Sequence, residues 1–287
     1  MTESVDIMTD MAIALALLAS AGYGVADFMG GVATRRLPVT TTTLLAHAAG
    51  LAVLLPALLL LPGEVSPGAL LWGAGGGLLG GLSLLAFYHG LATGRMSLVS
   101  PLAAVLSAAL PVGAGLLLGQ RPPLLAAAGM GLGLVAIVLI SLSRAHPGAA
   151  GPGRSIGFGI VAGLGFGLFF VCFDRAPADS GLWPLAGARM CTVVLFAVLV
   201  AATGGIRKAA PPPLLSALGA GLLDTGANAL FLLALRQGQL GIVAVLASLY
   251  PAVTVALSVS LLHERPRWYQ LGGIGLALFA VSLIALP

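Results

Sequence analysis

A carboxylate and an amide interrupt an apolar run in the stretch Gly221-Leu-Leu-Asp-Thr-Gly-Ala-Asn-Ala-Leu-Phe231. The run extends over about residues 213–235, which as a helix is long enough to cross a bilayer. Asp224 and Asn228 are four residues apart and share one face of that helix, and Phe231 continues the face. An acid at the bilayer centre costs about 2.5–3.5 kcal/mol on insertion scales. Its presence there predicts a functional site.

The composition of the whole chain predicts an all-α integral membrane protein. Of its 287 residues, 59% are hydrophobic and only 8% are charged, whereas a soluble domain carries about 25% charged residues. The 41 glycines suit closely packed helices rather than a membrane β-barrel. The net charge of +4 is spread over short loops without a basic stripe, so we expect no nucleic-acid partner. The two cysteines both fall in apolar runs, which indicates buried thiols and neither a disulfide framework nor a metal site.

Runs of about twenty apolar residues mark ten predicted transmembrane helices. They are Met11–Ala33, Val39–Leu61, Gly68–Leu91, Ser97–Leu118, Leu124–Leu142, Ile156–Phe173, Leu182–Thr203, Pro213–Leu235, Leu240–Leu262 and Trp268–Leu286. The first ten residues lack Lys and Arg, so the first run is predicted to be a retained span and not a signal peptide. The longest break is rich in Gly, Pro and Ala and is predicted to be a linker over residues 144–155.

The linker separates two copies of one unit, residues 1–143 and 156–287. Sliding Phe87–Leu142 onto Phe231–Leu286 by 144 positions makes 19 of 56 positions identical without a gap, including glycines and an Arg-Pro pair. Each unit has five predicted spans, and because five is odd the second unit enters the membrane from the opposite side. The sequence therefore predicts two inverted five-helix repeats, which are typical of secondary transporters. An ancient duplication kept only for folding is the alternative.

Several short motifs carry a resemblance to a known family. They are Gly22-Tyr-Gly-Val-Ala-Asp-Phe28, Arg189 within span seven, Phe231–Gly238 leading to Tyr250-Pro251, and the turns Gly119-Gln120-Arg121 and His263-Glu264-Arg265. Together with the ten-span repeat they resemble the EamA-type transporters of the drug/metabolite transporter superfamily. The resemblance implies two inverted five-helix repeats, often with a Gly-Glu-Arg turn after helices four and nine. Gln120 and His263 depart from that turn, so the substrate is not carried over from relatives.

Polar and aromatic residues inside the spans are the candidate substrate site. The predicted substrate-binding residues are Tyr23, Asp27, His47, Phe170, Arg189, Asp224, Asn228, Phe231 and Tyr250. We expect Arg189 to pair with Asp224 or Asp27, because a buried guanidinium needs an acid; the alternative is that it snorkels to the interface. His47 is either a proton relay or a hydrogen-bonded helix contact. Pro251 is expected to disturb span nine, and the Gly129/Gly133 pair to pack helices within the monomer or across a homodimer.

These features predict a secondary transporter that moves small metabolites across the cytoplasmic membrane by alternating access, one repeat rocking against the other. Amino-acid-like solutes and amphiphilic drugs are the substrate classes that the resemblance implies. We expect no cofactor, and the intramembrane acids make proton coupling a hypothesis. The alternatives are a membrane scaffold or sensor subunit and an intramembrane lipid-modifying enzyme, although the sequence carries no catalytic constellation. Loop charge favours both termini outside, whereas the resemblance implies both inside.

Overall fold

The computed structural model describes residues 2–93, 96–142, 152–203, 211–263 and 266–286, and within them the chain is helical. The helices are α1 (Thr2–Thr34), α2 (Val39–Leu60), α3 (Pro67–Thr93), α4 (Met96–Leu117), α5 (Leu124–Ser141), α6 (Pro152–Arg175), α7 (Trp183–Ala202), α8 (Pro211–Leu235), α9 (Leu240–Ala247), α10 (Tyr250–Leu262) and α11 (Trp268–Ala285). A short 3-10 turn, Ala178–Ser180, precedes α7.

Nine apolar helical stretches in the described part of the chain are long enough to cross a membrane, counting α9 and α10 together. The shorter apolar stretch Leu102–Leu117 within α4 stands where a tenth span was predicted. The all-helical membrane fold is therefore confirmed, while the number ten and the inverted topology stay predictions. Most of the predicted linker, residues 144–151, lies outside the described residues. The last part of it is helical, because α6 begins at Pro152.

Predicted span nine is broken into α9 and α10 at Ser248-Leu249. Pro251 has no N–H to donate to the carbonyl four residues earlier, so the regular ladder cannot continue through it. Leu249 and Ala252 bond three residues back instead, to Leu246 and Leu249 oxygens at 3.2 and 3.0 Å. The disturbance expected from Pro251 is therefore a complete break. In the first repeat Ser107 stands at the equivalent position, and α4 runs through it without interruption.

The contacts between helices follow the 144-residue repeat. A Cβ added to Gly22 on α1 would meet the Ala227 side chain on α8, and a Cβ added to Gly165 on α6 would meet the Ser83 side chain on α3. Ser83 and Ala227 are separated by 144 positions. This contact of α1 on α8 is thus repeated by α6 on α3, at corresponding residues.

The two helices that end the repeats also meet at equivalent residues. Gly129 on α5 contacts Ile284 on α11, and Gly273 on α11 contacts Ile140 on α5. Gly129 and Gly273 are 144 positions apart, and so are Ile140 and Ile284. Gly133 packs against Val245 and α11 as well. The GxxxG pair therefore packs helices within the monomer.

The most extensive packing joins helices of different repeats. α1 packs on α8, α6 on α3, α2 on α8 and α7 on α3, whereas α1 and α2 touch each other much less. α9 lies among these helices with every residue buried. A helix that is apolar all round belongs in the interior of a bundle. The two repeats are consequently interleaved rather than set side by side.

Candidate functional site

An ion pair lies at the centre of the bundle, between α7 and α8. Arg189 Nη2 donates to Asp224 Oδ2 at 2.5 Å. The arginine side chain is 6% exposed and the aspartate side chain 30%. α3 approaches α7 so closely that a Cβ on Gly77 would collide with the Ala188 backbone. Arg189 is therefore held inside the bundle and does not snorkel to the interface, and the predicted pair forms with Asp224.

Hydrogen bonds extend the ion pair to α1. Asn228 Nδ2 donates to the Asp224 carbonyl oxygen at 2.7 Å and to Oδ1 of its side chain at 3.2 Å. Tyr23 Oη, in turn, donates to Asn228 Oδ1 at 3.0 Å. The polar face that the four-residue spacing predicted is thus a connected network between α1, α8 and α7. Its direction is fixed, since the tyrosine hydroxyl donates and the amide oxygen accepts.

The two repeats supply one base each to the same acid. His47 Nε2 lies 4.0 Å from Asp224 Oδ2, beside the arginine. His47 and Arg189 occupy equivalent positions in the two units, because Ala46 packs on Gly221 just as Ala188 packs on Gly77. The acid itself is not duplicated: its counterpart is Gly80, which packs on the Phe169 ring. The site is therefore asymmetric on a symmetric scaffold.

Asp27 is exposed although it lies within a spanning helix. Leu18, nine residues earlier, is 57% exposed. Nine residues are two and a half turns, so the two side chains leave α1 on opposite sides. Leu18 faces the lipid, and Asp27 faces the interior, on the same side as Tyr23. Within the described residues Asp27 has no hydrogen bond or ion pair, but its charge interacts with that of Asp224.

The predicted aromatic residues fall into two groups. Tyr250 stands at the start of α10, with its ring 6.4 Å from that of Tyr23 and partly exposed. Phe170 and Phe231 stack against each other with their ring centroids 4.3 Å apart. Phe231 is fully buried, as is the neighbouring Phe173. Phe231 therefore belongs to a packed aromatic layer, and Phe170 to its edge, while the tyrosines lie beside Asp27.

The aromatic layer continues into a tightly bonded loop cluster. Arg236, just after α8, donates to the carbonyl oxygens of Ala176 and Pro177 at 3.0 and 2.9 Å. Burial lowers the pKa of the Arg236 guanidinium, and the carboxylates of Asp174 and Asp179 act in the opposite direction. These hydrogen bonds connect the turn after α8 to the loop before α7.

Tyr88 on α3 is a residue of this interior that the sequence pattern did not single out. It is partly exposed and interacts electrostatically with both Asp27 and Asp224. Its position beside His89 and Gly90, near the end of a span, pointed to the membrane surface. The neighbouring Phe87 aligns with Phe231 of the second repeat, and this alignment could have identified the Tyr88 position as part of the interior. No group of three or more His, Cys, Asp and Glu side chains in the described residues could hold a metal ion.

An asymmetric polar centre inside a bundle of interleaved, duplicated apolar helices defines a polytopic membrane protein with two sequence repeats. The model of the EamA-like transporter family matches residues 10–142 and 153–286. The chain belongs to this family. A crystal structure described only as "Crystal structure of protein" has a TM-score of 0.75 at 16% identity, over 94% of this chain and 98% of the other. That likeness shows the fold alone, and no curated protein matches the sequence.

Proposed function

We propose that this protein is a secondary transporter that carries small amphiphilic or amino-acid-like solutes across the cytoplasmic membrane by alternating access. Membership of the EamA-like family indicates a membrane transporter. The observation that carries the proposal is the Arg189–Asp224 pair, which joins two spanning helices inside the bundle and belongs to only one repeat. Ionisable groups at that depth are expensive and mark transport pathways.

A solute can bind by replacing one partner of the Arg189–Asp224 ion pair. A carboxylate on the solute competes with Asp224 for the Arg189 guanidinium, and an amine competes with Arg189 for Asp224. Arg189 Nε is buried without a hydrogen-bond partner, and so is His47 Nδ1. Buried polar atoms without a partner cost free energy, so a ligand that hydrogen-bonds to them gains more than it would in water.

Alternating access needs one closed and one open end. The Phe170–Phe231 stack and the Arg236 loop cluster support a closed end where α8 finishes. At the other end of the bundle Asp27 on α1 is exposed and Tyr88 on α3 is partly exposed. Because helices pack across the repeats, we propose that the rocking bodies are mixed. One would combine α1, α2 and α8–α10, and the other α3, α4, α6 and α7, instead of each repeat moving as a unit.

The test is solute uptake by the purified protein in proteoliposomes, measured as counterflow against a preloaded panel of amino acids and amphiphilic amines. Arg189→Ala is expected to abolish counterflow of any solute that the wild type moves. Asp10→Asn, which removes an exposed acid near the start of α1, is the control and should transport normally. An Arg189→Ala protein that folds and transports at the wild-type rate would overturn the role of the ion pair.

Proton coupling is part of the proposal and has its own measurement. A carboxylate that exchanges partners between Arg189, a solute and a proton can link solute movement to a proton gradient. Counterflow is therefore compared with net uptake under an imposed pH gradient. If net uptake does not respond to the pH gradient while counterflow persists, the protein is a facilitator and the proposed proton coupling is wrong.

A further inference from the structure

We propose that Asp27 and the rings of Tyr23, Tyr88 and Tyr250 form a subsite for the positively charged group of an organic monocation, such as a primary amine or a quaternary ammonium. The proposal rests on the transport function proposed above and specifies its substrate class.

The basic groups of the interior lie at one of its two acids. Arg189 and His47 both lie at the Asp224 carboxylate, at 2.5 and 4.0 Å. Asp27 has no basic partner in the described residues, and its only charged neighbour there is the like-charged Asp224. An exposed carboxylate without a partner, facing inward from a spanning helix, lacks the counter-ion that such groups normally have. A cationic solute would supply it.

Tyrosine side chains lie near the Asp27 carboxylate. Tyr23 lies on the same side of α1, one turn before Asp27. Its ring is 6.4 Å from that of Tyr250 in an edge-to-face arrangement. Tyr88 on α3 and Tyr250 on α10 both lie within electrostatic range of Asp27, and Tyr250 lies within range of Tyr88. Tyrosines of α1, α3 and α10 are therefore near this carboxylate.

A carboxylate with tyrosine rings near it has the chemistry to recognise an organic cation. Aromatic faces attract organic cations, and the attraction strengthens when both groups are removed from water. One carboxylate with aromatic walls favours a single positive charge over a zwitterion, whose own carboxylate would meet the negative charges of Asp27 and Asp224. Arg189 is the group that could bind a carboxylate, and a zwitterion would first have to displace Asp224 from it.

The experiment uses the full-length protein in detergent and matched probes of one size. Tyramine carries the ammonium, tyrosol replaces it by a hydroxyl, and tyrosine adds a carboxylate; tetraethylammonium represents quaternary cations. We expect calorimetry to detect binding of tyramine and tetraethylammonium and no binding of tyrosol. Asp27→Asn is expected to weaken cation binding by about tenfold or more. Asp10→Asn, on the same helix about 25 Å away, should leave it unchanged.

A second pair of variants separates the aromatic wall from a merely structural effect. Tyr88→Phe keeps the ring and should bind tetraethylammonium like the wild type, whereas Tyr88→Leu should bind it several-fold more weakly. The proposal is overturned if no cation binds better than tyrosol, or if Asp27→Asn binds cations as the wild type does.

Counterflow separates this failure from failure of the transport proposal. If proteoliposomes move tyrosine while no cation binds or crosses, the transport function stands and the subsite is wrong. If cations bind through Asp27 in detergent but no solute crosses the membrane, the subsite stands and the transport function is wrong.

Discussion

Removing the carboxylate of the central ion pair should destabilise the protein more than removing the guanidinium. At 2.5 Å the attraction is about 7 kcal/mol for an effective dielectric constant of about 20. Desolvation of the two ions offsets most of it. Asp224→Asn leaves the 6% exposed Arg189 charge without a counter-ion, which we expect to cost about 3 kcal/mol. Arg189→Met leaves Asp224, which is 30% exposed and still bonded by Asn228, and should cost about 1–2 kcal/mol.

The measurement is a double-mutant cycle on thermal unfolding in detergent, with Asp10→Asn at an exposed position of α1 as the control. A loss of about 3 kcal/mol corresponds to a fall of about 6–12 °C in the unfolding temperature. The double variant Arg189→Met/Asp224→Asn should be more stable than Asp224→Asn alone, because no charge is then stranded. Additive losses within about 0.5 kcal/mol would refute the reasoning, since contacting charges must couple.

Three further perturbations test the packing around the site. Gly24→Ala should destabilise the protein by about 1–3 kcal/mol, because its Cβ would lie 2.7 Å from a backbone oxygen of α10. Gly31→Ala is the control, because a Cβ there has nothing within 4 Å, and it should be neutral or stabilising in thermal unfolding. Arg236→Ala should speed hydrogen exchange in Ala178–Ser180, because two carbonyl anchors are lost; unchanged exchange would contradict the closed end. Pro251→Ala restores a backbone donor at the α9–α10 break and should slow counterflow if the break is a hinge, while wild-type rates would assign the break to folding alone.

The membrane fold and the repeat register could be predicted because they depend on composition and spacing. Runs of apolar residues located the helices to within a few residues of their ends, except that α1 begins earlier, at Thr2. The 144-residue shift rested on matches such as Gly129 with Gly273. Those glycines also make equivalent contacts in the structure, since close helix approach requires them. Family membership was predicted from the same features and is confirmed.

The direction in which each side chain points was harder to predict. Spacing placed Asp224 and Asn228 on one face, but it left Asp27 and Asp224 as equal candidates for Arg189. Which acid Arg189 reaches depends on the relative positions of α7 and α8 along their axes. No short-range sequence pattern determines those positions. Arg236 follows an apolar run in a polar turn, yet it is partly buried because it donates to carbonyl oxygens of a neighbouring loop. The break at Ser248-Leu249 precedes Pro251 by a few residues, because the missing donor acts on the turn before it.

The interleaving of the repeats also sets the order in which the protein can be assembled. α1 packs most extensively on α8, and the hydrogen bond between Tyr23 and Asn228 joins residues 205 positions apart. At about 5–20 residues per second, α1 waits about 10–40 s for that partner during synthesis. Through that interval Asp27 lies in a helix whose main packing partners, α8, α9 and α10, have not yet been made, and a lone acid in lipid costs about 2.5–3.5 kcal/mol. The packing that surrounds Asp27 in the finished protein is therefore completed only long after α1 has been made.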